Sequence, residues 1–330
     1  MMEYLPFFML PVTFGLMFLG VQVAFAMLLT ATMFGLITFG PAVAHQFVEK
    51  IDDLASNFVF AAIPLFVFMG AVLEKSGIAD RLFEAIHIWT RRLPGGLAIA
   101  TVLMCIVFAA SSGVIGATES VVGLLTIPIM LRYGYDKRLI SGVICAGGSL
   151  GTIIPPSVVV VVMGPLADVS VGDLMYGMVF PGLLMAGLYL VYILVLCVVK
   201  PEHGPRIPRE PGEPGFAEKL GITLRNLVPP LLMIVAVLGS ILGGLASPTE
   251  AAAIGCVCAV LLTMLYRRFT WAGLYDSLLK TVRVTAMIMA VLLGGTLFTG
   301  VFVGGGGISL ASTVIEQFQL GPWAWSSCCC

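Results

Sequence analysis

The stretch AASSGVIGATESVVGLLTIPIM (109–130), followed by RYGYDKR (132–138) and LISGVICAGGSLGTIIPPS (139–157), decides how the chain is read. Each apolar half is hydrophobic enough to lie in a bilayer, yet each is interrupted. Ser111-Ser112-Gly113, with Thr118, Glu119 and Ser120, breaks the first. Gly147-Gly148-Ser149-Leu150-Gly151 and then Pro155-Pro156 break the second. Backbone freed from a helix is tolerated at membrane depth only where protein buries it or where it lines a cavity. Broken helices near the midplane are what secondary carriers use to hold substrate and coupling ion. The pattern predicts a re-entrant hairpin over 93–131, a polar connection, and an unwound helix over 139–168.

The composition agrees with a membrane setting. Of 330 residues, 59% are hydrophobic and 11% charged, against about 25% charged in soluble domains. The net charge of −1 suggests no nucleic-acid partner. Met1-Met2-Glu3-Tyr4 lacks the positive start of a signal peptide, so the first helix is expected to be retained. Cys105, Cys145, Cys197, Cys256 and Cys258 fall in apolar runs and read as small buried hydrophobes.

Outward from the broken stretch, charge-free runs of about 20 residues mark further spans. Leu5–Leu19 and Val21–Phe39 flank Gly20, and Leu54–Leu73 follows, giving scaffold helices over 1–75. Ile78–Trp89 is amphipathic and reads as an interfacial arm over 78–92. A plain closing helix spans 174–199. The prolines at 201, 205, 208, 211 and 214 make 200–225 a surface linker on the cytoplasmic side. Helices at Asn226–Leu245 and Ala251–Tyr266 come next, then an amphipathic Trp271–Arg283 and a span over Val284–Val303. A four-glycine break, Gly304–Gly307, precedes a second amphipathic helix, Ile308–Phe318.

The same order of elements starts from Leu5 and from Asn226. This predicts a first repeat over 1–199 and an incomplete second repeat over 226–330. Placing Arg91-Arg92, Arg132–Arg138, Lys200–Arg225 and Arg267-Arg268 on the cytoplasmic side puts Met1 outside, in the periplasm. The two repeats then start on opposite sides. The expected fold is an all-α polytopic membrane protein, an inverted-repeat carrier with a re-entrant hairpin and discontinuous helices.

Several residues carry competing readings. Unpaired carbonyls beside Ser112 and along Gly151–Pro156 are ready ligands for a hard cation, whereas the glycines also suit helix packing and the prolines a kink. Glu119 is an intramembrane carboxylate, a costly feature that suggests substrate or proton handling, or it faces water at the hairpin. Ser247 and Glu250 read as a capping box with Pro248 in the first turn. No HExxH, triad order or P-loop occurs. An intramembrane hydrolase would have only Ser111-Ser112 as nucleophile, with no His or Lys in an apolar span to activate it.

FAASSGVIGATESVVGLLTIPIMLRYGYDKRL (108–139), AGGSLGTIIPPS (146–157), GPLADVSVGDL (164–174) and ASPTEAAAIG (246–255) together resemble the large, DctM-type permease subunit of TRAP transporters. The resemblance runs to about Trp325. It implies a bacterial inner-membrane, elevator-type symporter, coupled to sodium and needing no other cofactor. Substrates would be organic acids such as C4-dicarboxylates. Partners would be a small four-helix membrane subunit and a periplasmic solute-binding protein. It implies sodium ligation by backbone carbonyls of Ser112, Gly151, Ile154 and Pro156. Ser111, Gly113, Thr118, Glu119, Ser149, Thr152 and Pro155 are the substrate and hairpin candidates. Val114-Ile115-Gly116 and Glu119 depart from the family's commoner alanine- and valine-rich turn. By repeat symmetry roughly 95 further residues would complete the second half, and Ser326–Cys330 fits neither a membrane helix nor the family. The expectation is a truncated reading whose complete counterpart transports. The alternative is a non-transporting scaffold or pseudogene product.

Overall fold

The computed structural model describes residues 5–113, 115–205, 215–309 and 312. Among these every regular element is helical. In order they are α1 (Leu5–Phe18), α2 (Val23–Phe39), α3 (Val43–Ser56), α4 (Ala62–Lys75), α5 (Ile78–Thr90) and α6 (Gly96–Ser112). There follow α7 (Ile115–Arg132), α8 (Lys137–Ile153), α9 (Val158–Leu166), α10 (Val171–Val199), α11 (Phe216–Leu242), α12 (Pro248–Leu265) and α13 (Trp271–Gly304). Six helical stretches are long and apolar enough to cross a membrane, and α8 with α9, bent by 43°, makes a seventh as one broken span. Phe180, Leu188, Val191 and Val195 on α10 are exposed, as are Phe7, Phe8 and Phe14 on α1. Apolar surface on this scale suits lipid, not water. The chain is a multi-pass membrane protein.

The chain divides into two compact units, one of Met1–Asn57 with Val284–Cys330 and one of Phe58–Arg283. In the first, α1 and α2 turn about Gly20, whose φ is +88°. Met9, Ala31, Phe34 and Val43 form its core with Leu297, Phe298 and Val301 of α13. Gly294 lets α13 approach α2 closely, since a Cβ there would lie 2.9 Å from the Ala24 carbonyl oxygen. Small residues of this kind let membrane helices gain dispersion contacts that the lipid-solvated state lacks.

In the larger unit, α12 packs along α4, with Gly255 facing Met69. The capping box is present: the Ser247 hydroxyl accepts from the Glu250 N–H at 3.3 Å, and Glu250 accepts from the Ser247 N–H at 2.8 Å. Lys75 pairs with Asp276 and Lys280 with Glu74, tying α4 to the start of α13. The α5 helix runs along one end of this unit. Its Arg81 stacks 4.4 Å over Tyr266 at the end of α12. Its Trp89 donates to Thr223 near the start of α11 at 2.8 Å. Ile78, Leu82 and Phe83 are buried, so the apolar face expected at the membrane interface meets protein instead.

Three expected boundaries move, each for a local reason. The span over 54–73 is broken: α3 ends at Ser56, a 3₁₀ turn covers Phe58–Ala61, and α4 begins at Ala62. Pro64 offers no N–H to the carbonyl of Phe60, which weakens the helix just before α4, and Asn57 at the end of α3 is extended. The linker is shorter than 200–225, because α11 already starts at Phe216. The last linker proline is Pro214, and Ala217-Glu218-Lys219-Leu220 are good helix formers. Trp271–Arg283 and Val284–Val303 are one helix of 34 residues. Polarity changes at Arg283, but no glycine or proline lies there to stop it. At about 51 Å it exceeds the ~30 Å hydrocarbon core, so its charged first part extends past the apolar span. Most of the amphipathic segment 308–318 lies outside the described residues, as does Ser326–Cys330.

Replacing Gly294 by leucine should push α13 off α2 at the cost typical of overpacking, about 1–3 kcal/mol. A fall of several degrees in the detergent melting temperature of the purified chain is the expected reading. An unchanged temperature would show that the helices do not depend on this approach.

Candidate transport site

The hairpin and the broken helix can be followed from base to tip. At the base, the Leu97 N–H donates to the Tyr135 hydroxyl at 3.2 Å, and Thr101 faces the Met130 sulfur at 4.0 Å. Tyr135 is buried, and burial pushes its phenol up to about 12. Halfway along, α6 meets α8 where Cys105 lies against Gly147. There α7 meets α8 where Glu119 lies against Gly148. At the tip α6 stops at Gly113 in the left-handed conformation, φ +63°. A Cβ on Gly113 would sit 2.6 Å from the Pro156 carbonyl oxygen. The Gly113 carbonyl accepts from the Val158 N–H at 3.5 Å. The tip therefore rests on the break between α8 and α9. The arms α6 and α7, of 17 and 18 residues, reach about 25–27 Å, short of a full crossing.

The break follows from the proline pair. In an α-helix each N–H serves the carbonyl four residues earlier. Pro155 and Pro156 have none to offer the carbonyls of Gly151 and Thr152. The last regular bond of α8 is Ile154 N–H to Leu150 O, at 2.8 Å. Ile154 and Ser157 are extended, and the Pro155–Pro156 peptide is cis. Gly151, Ile154, Pro155, Pro156 and Ser157 are all buried. On the far side Gly182 of α10 admits the Ile153 carbonyl, which would lie 3.3 Å from a Cβ at that position.

The structure thus brings Gly113, Pro156 and Val158 together, with Ser157 between them in sequence. Ser112 is the last residue of α6. Two expected breaks are helical instead. Thr118, Glu119 and Ser120 lie within α7, and Gly147–Gly151 within α8. Gly147 and Gly148 are there for packing, because a Cβ would collide with Cys105 and with Glu119 respectively. Ser111, Ser149 and Thr152 donate their hydroxyls to Phe108, Ala146 and Ser149 carbonyls of their own helices, at 2.7–2.9 Å. Thr118 is buried in α7. Glu119 stands six residues from Gly113, about 9 Å along the helix, and its carboxylate occupies the slot left by Gly148.

Ser157 is the residue that sequence reasoning passed over. It is fully buried at the start of α9, makes no cap, and its hydroxyl has no hydrogen-bond partner among the described residues. Such groups are rare in folded proteins and call for an explanation. The signal was its place directly after Pro155-Pro156, where a helix must restart.

An all-helical multi-pass protein with a short helical hairpin docked on a proline-broken span is built like a carrier, with buried backbone carbonyls at its centre. The chain belongs to the family described as the tripartite ATP-independent periplasmic transporter, DctM component, which it matches over residues 10–325. It is 32% identical over 289 residues to a C4-dicarboxylate TRAP transporter large permease of Pseudomonas aeruginosa, covering 87% of this chain and 66% of the relative. It is 31% identical over 316 residues to an isethionate TRAP transporter permease of Oleidesulfovibrio alaskensis, covering 94% and 48%. A sialic acid TRAP transporter large permease of Vibrio cholerae is 29% identical over 288 residues, covering 86% and 65%. The chain spans about half to two thirds of the length of these relatives. The family is one of transport components, not enzymes.

Two substitutions separate the tip from the glutamate slot. Gly113→Ala places a side chain in the left-handed region, a cost of about 1–2 kcal/mol before any clash, and pushes against Pro156 backbone. Cys105 should then react faster with a small maleimide than in the wild type, because α6 has loosened. Gly148→Ala displaces the Glu119 side chain and leaves the tip in place, so Cys105 labelling should change little. Equal labelling in both variants would disconnect the tip contact from the packing of α6.

Proposed function

We propose that the chain is the membrane permease part of a sodium-coupled TRAP system that takes up an organic acid. The observation that carries the proposal is the hairpin tip resting on the Pro156 carbonyl, at the break where Pro155 and Pro156 offer no N–H to the carbonyls of Gly151 and Thr152. Carbonyl oxygens are the ligands a hard monovalent cation prefers to side-chain nitrogen or sulfur. In this reading the carbonyls of Ser112, Gly151, Ile154 and Pro156 hold sodium, and the Ser157 hydroxyl completes or adjoins the set. Ser111, Gly113, Thr118, Glu119, Ser149, Thr152 and Pro155 border the substrate path. Bound sodium draws the tip and the break together, and that geometry favours the loaded state. The hairpin-bearing helices then move substrate across while the scaffold stays fixed.

The partners in this proposal are a small membrane subunit and a periplasmic solute-binding protein. The substrate is a carboxylate of the kind named for the Pseudomonas relative; the relatives named for isethionate, ectoine and sialic acid support the wider class of organic acids and zwitterions. The basic segments at Arg91-Arg92, 132–138 and Arg267-Arg268 gather at one end of the larger unit, together with 200–205. Gly95 N–H bonds Gly204 O at 3.2 Å, and Asp136 N–H bonds His203 O at 3.1 Å. The antiparallel α11 and α12 bring Arg267 back to the same end by way of α5. In this proposal that end is cytoplasmic, in keeping with the positive-inside rule, and the N-terminus is periplasmic.

A ligand present at about 100 times its Kd stabilises the folded state by about 2.7 kcal/mol. The purified chain should melt several degrees higher in saturating sodium chloride than in choline chloride at equal ionic strength. Ser157→Ala should reduce the sodium shift and Gly113→Ala should abolish it. No difference between the two salts in the wild type would remove the sodium assignment. Uptake by the complete permease with its partners should likewise fail when the sodium gradient is removed.

A further inference from the structure

Away from the tip, α8 and α10 leave an open groove of about 460 Å³ between them. Its walls are apolar along most of their length. Leu139, Val143 and Ala146 line it from α8, and Ile193 and Leu196 from α10. One end is polar and carries Asp136, Arg138 and His203. From Arg138 to Ala146 the trough runs about 12 Å along the helix. It opens beside the exposed apolar face of α10, where Tyr192 is 65% accessible. Tyrosines mark the depth of the membrane interface, and this one lies two turns from Lys200 at the end of α10.

The lining at the polar end carries one carboxylate, Asp136, and one guanidinium, Arg138, and Lys137 just beside it adds a further positive charge. The Asp136 carboxylate is committed: one oxygen accepts from the Arg138 N–H at 2.9 Å and the other faces His203 Nε2 at 3.4 Å. His203 Nδ1 is buried with no hydrogen-bond partner among the described residues. The side chains of Lys137 and Arg138 are exposed, and neither forms an ion pair among the described residues. A site with surplus positive charge at headgroup level, continued by an apolar trough open to the bilayer, fits one kind of ligand. A guanidinium fork matches phosphate oxygens in pairs, and basic pockets between helices at the cytoplasmic surface bind anionic headgroups.

We propose that this groove binds an anionic phospholipid. The phosphate lies on Arg138, beside Lys137 and His203, and one acyl chain lies between α8 and α10. Gly142 keeps the trough clear, since a Cβ at that position would meet nothing within 4 Å. The proposal goes beyond the transport reading and holds whether or not the chain moves substrate. It gives the lipid a position at the opposite end of α8 from the break, where it would wedge α8 against α10.

The test uses the full chain in nanodiscs of phosphatidylcholine with and without phosphatidylglycerol, read by melting temperature and by lipid retained in native mass spectrometry. Phosphatidylglycerol should raise the melting temperature and be retained on the wild type. Arg138→Ala should lower retention about five- to tenfold, the effect of about 1 kcal/mol per basic residue at the surface. Arg138→Lys should restore part of it. Gly142→Leu, which fills open space and leaves every charge in place, should lower retention as far as Arg138→Ala. Inorganic phosphate should shift nothing. Equal retention by wild type, Arg138→Ala and Gly142→Leu overturns the proposal, and so does an equal shift with inorganic phosphate. Retention that is unchanged while co-purification with a small membrane subunit falls would mark the groove as a protein interface and overturn it as well.

Discussion

The structure depends on two N–H groups that proline does not have. Without them the carbonyls of Gly151 and Thr152 lose their helical donors at the end of α8, and with Ile154 and Ser157 extended the span breaks there, whereas α11 runs on through Pro229-Pro230. A break at that depth is unstable in hydrocarbon, where each unpaired group costs several kcal/mol. Protein has to surround it. The tip of the α6–α7 hairpin covers one side through Gly113, and Gly182 of α10 admits the Ile153 carbonyl on another. Both contacts are backbone approaches that any side chain would obstruct.

The base of the hairpin shows the complementary arrangement. Gly204 and His203, just after α10, bond to Gly95 before α6 and to Asp136 before α8. Gly204 would collide with Cys197 and Gly95 if it carried a Cβ. One short segment thus fastens the loops before α6 and α8, while the tip meets the break through the Val158 N–H to Gly113 carbonyl bond of 3.5 Å and through packing. A firm base and a lightly held tip place the easier opening at the tip. Elsewhere the compact units join helices far apart in sequence: α2 with the second part of α13, and α4 with α12. The units therefore cut across the two expected repeats. Such long-range pairing makes the chain dependent on late helices to cover early ones.

Much of this was legible because the decisive residues act on their own backbone. Gly113 and Gly20 appear as left-handed turns and Pro155-Pro156 as a break, although the pair Pro229-Pro230 sits inside the continuous α11, so the prolines break a span only where the neighbouring residues let them. The capping box at Ser247 and Glu250 is local in the same sense. What the sequence concealed were outcomes set by partners. Gly147 and Gly148 read as breakers, yet they continue α8, since Cys105 and Glu119 fill the space over them. The change from polar to apolar at Arg283 read as an end, yet polarity alone does not end a helix. Ser157 was invisible because an isolated serine after prolines says nothing of burial, and only packing shows that its hydroxyl is left without a partner.

A centre made of backbone has a further consequence. Carbonyl oxygens are the same on every residue, so such a site tolerates sequence change provided the break and the tip keep their shape. Chemical variety around such a centre then comes from side chains set back from it. In this chain the carboxylate nearest the tip along α7 is Glu119, and it is paired sterically with Gly148: glutamate at one position requires glycine at the other. That coupling is directional in a useful way. A smaller residue at 119 would leave Gly148 over a void, while a larger residue at 148 would expel the carboxylate toward the hairpin surface. In this chain the break and the tip are set by backbone, and a contact such as that of Glu119 with Gly148 is where side-chain chemistry beside them can change without altering either.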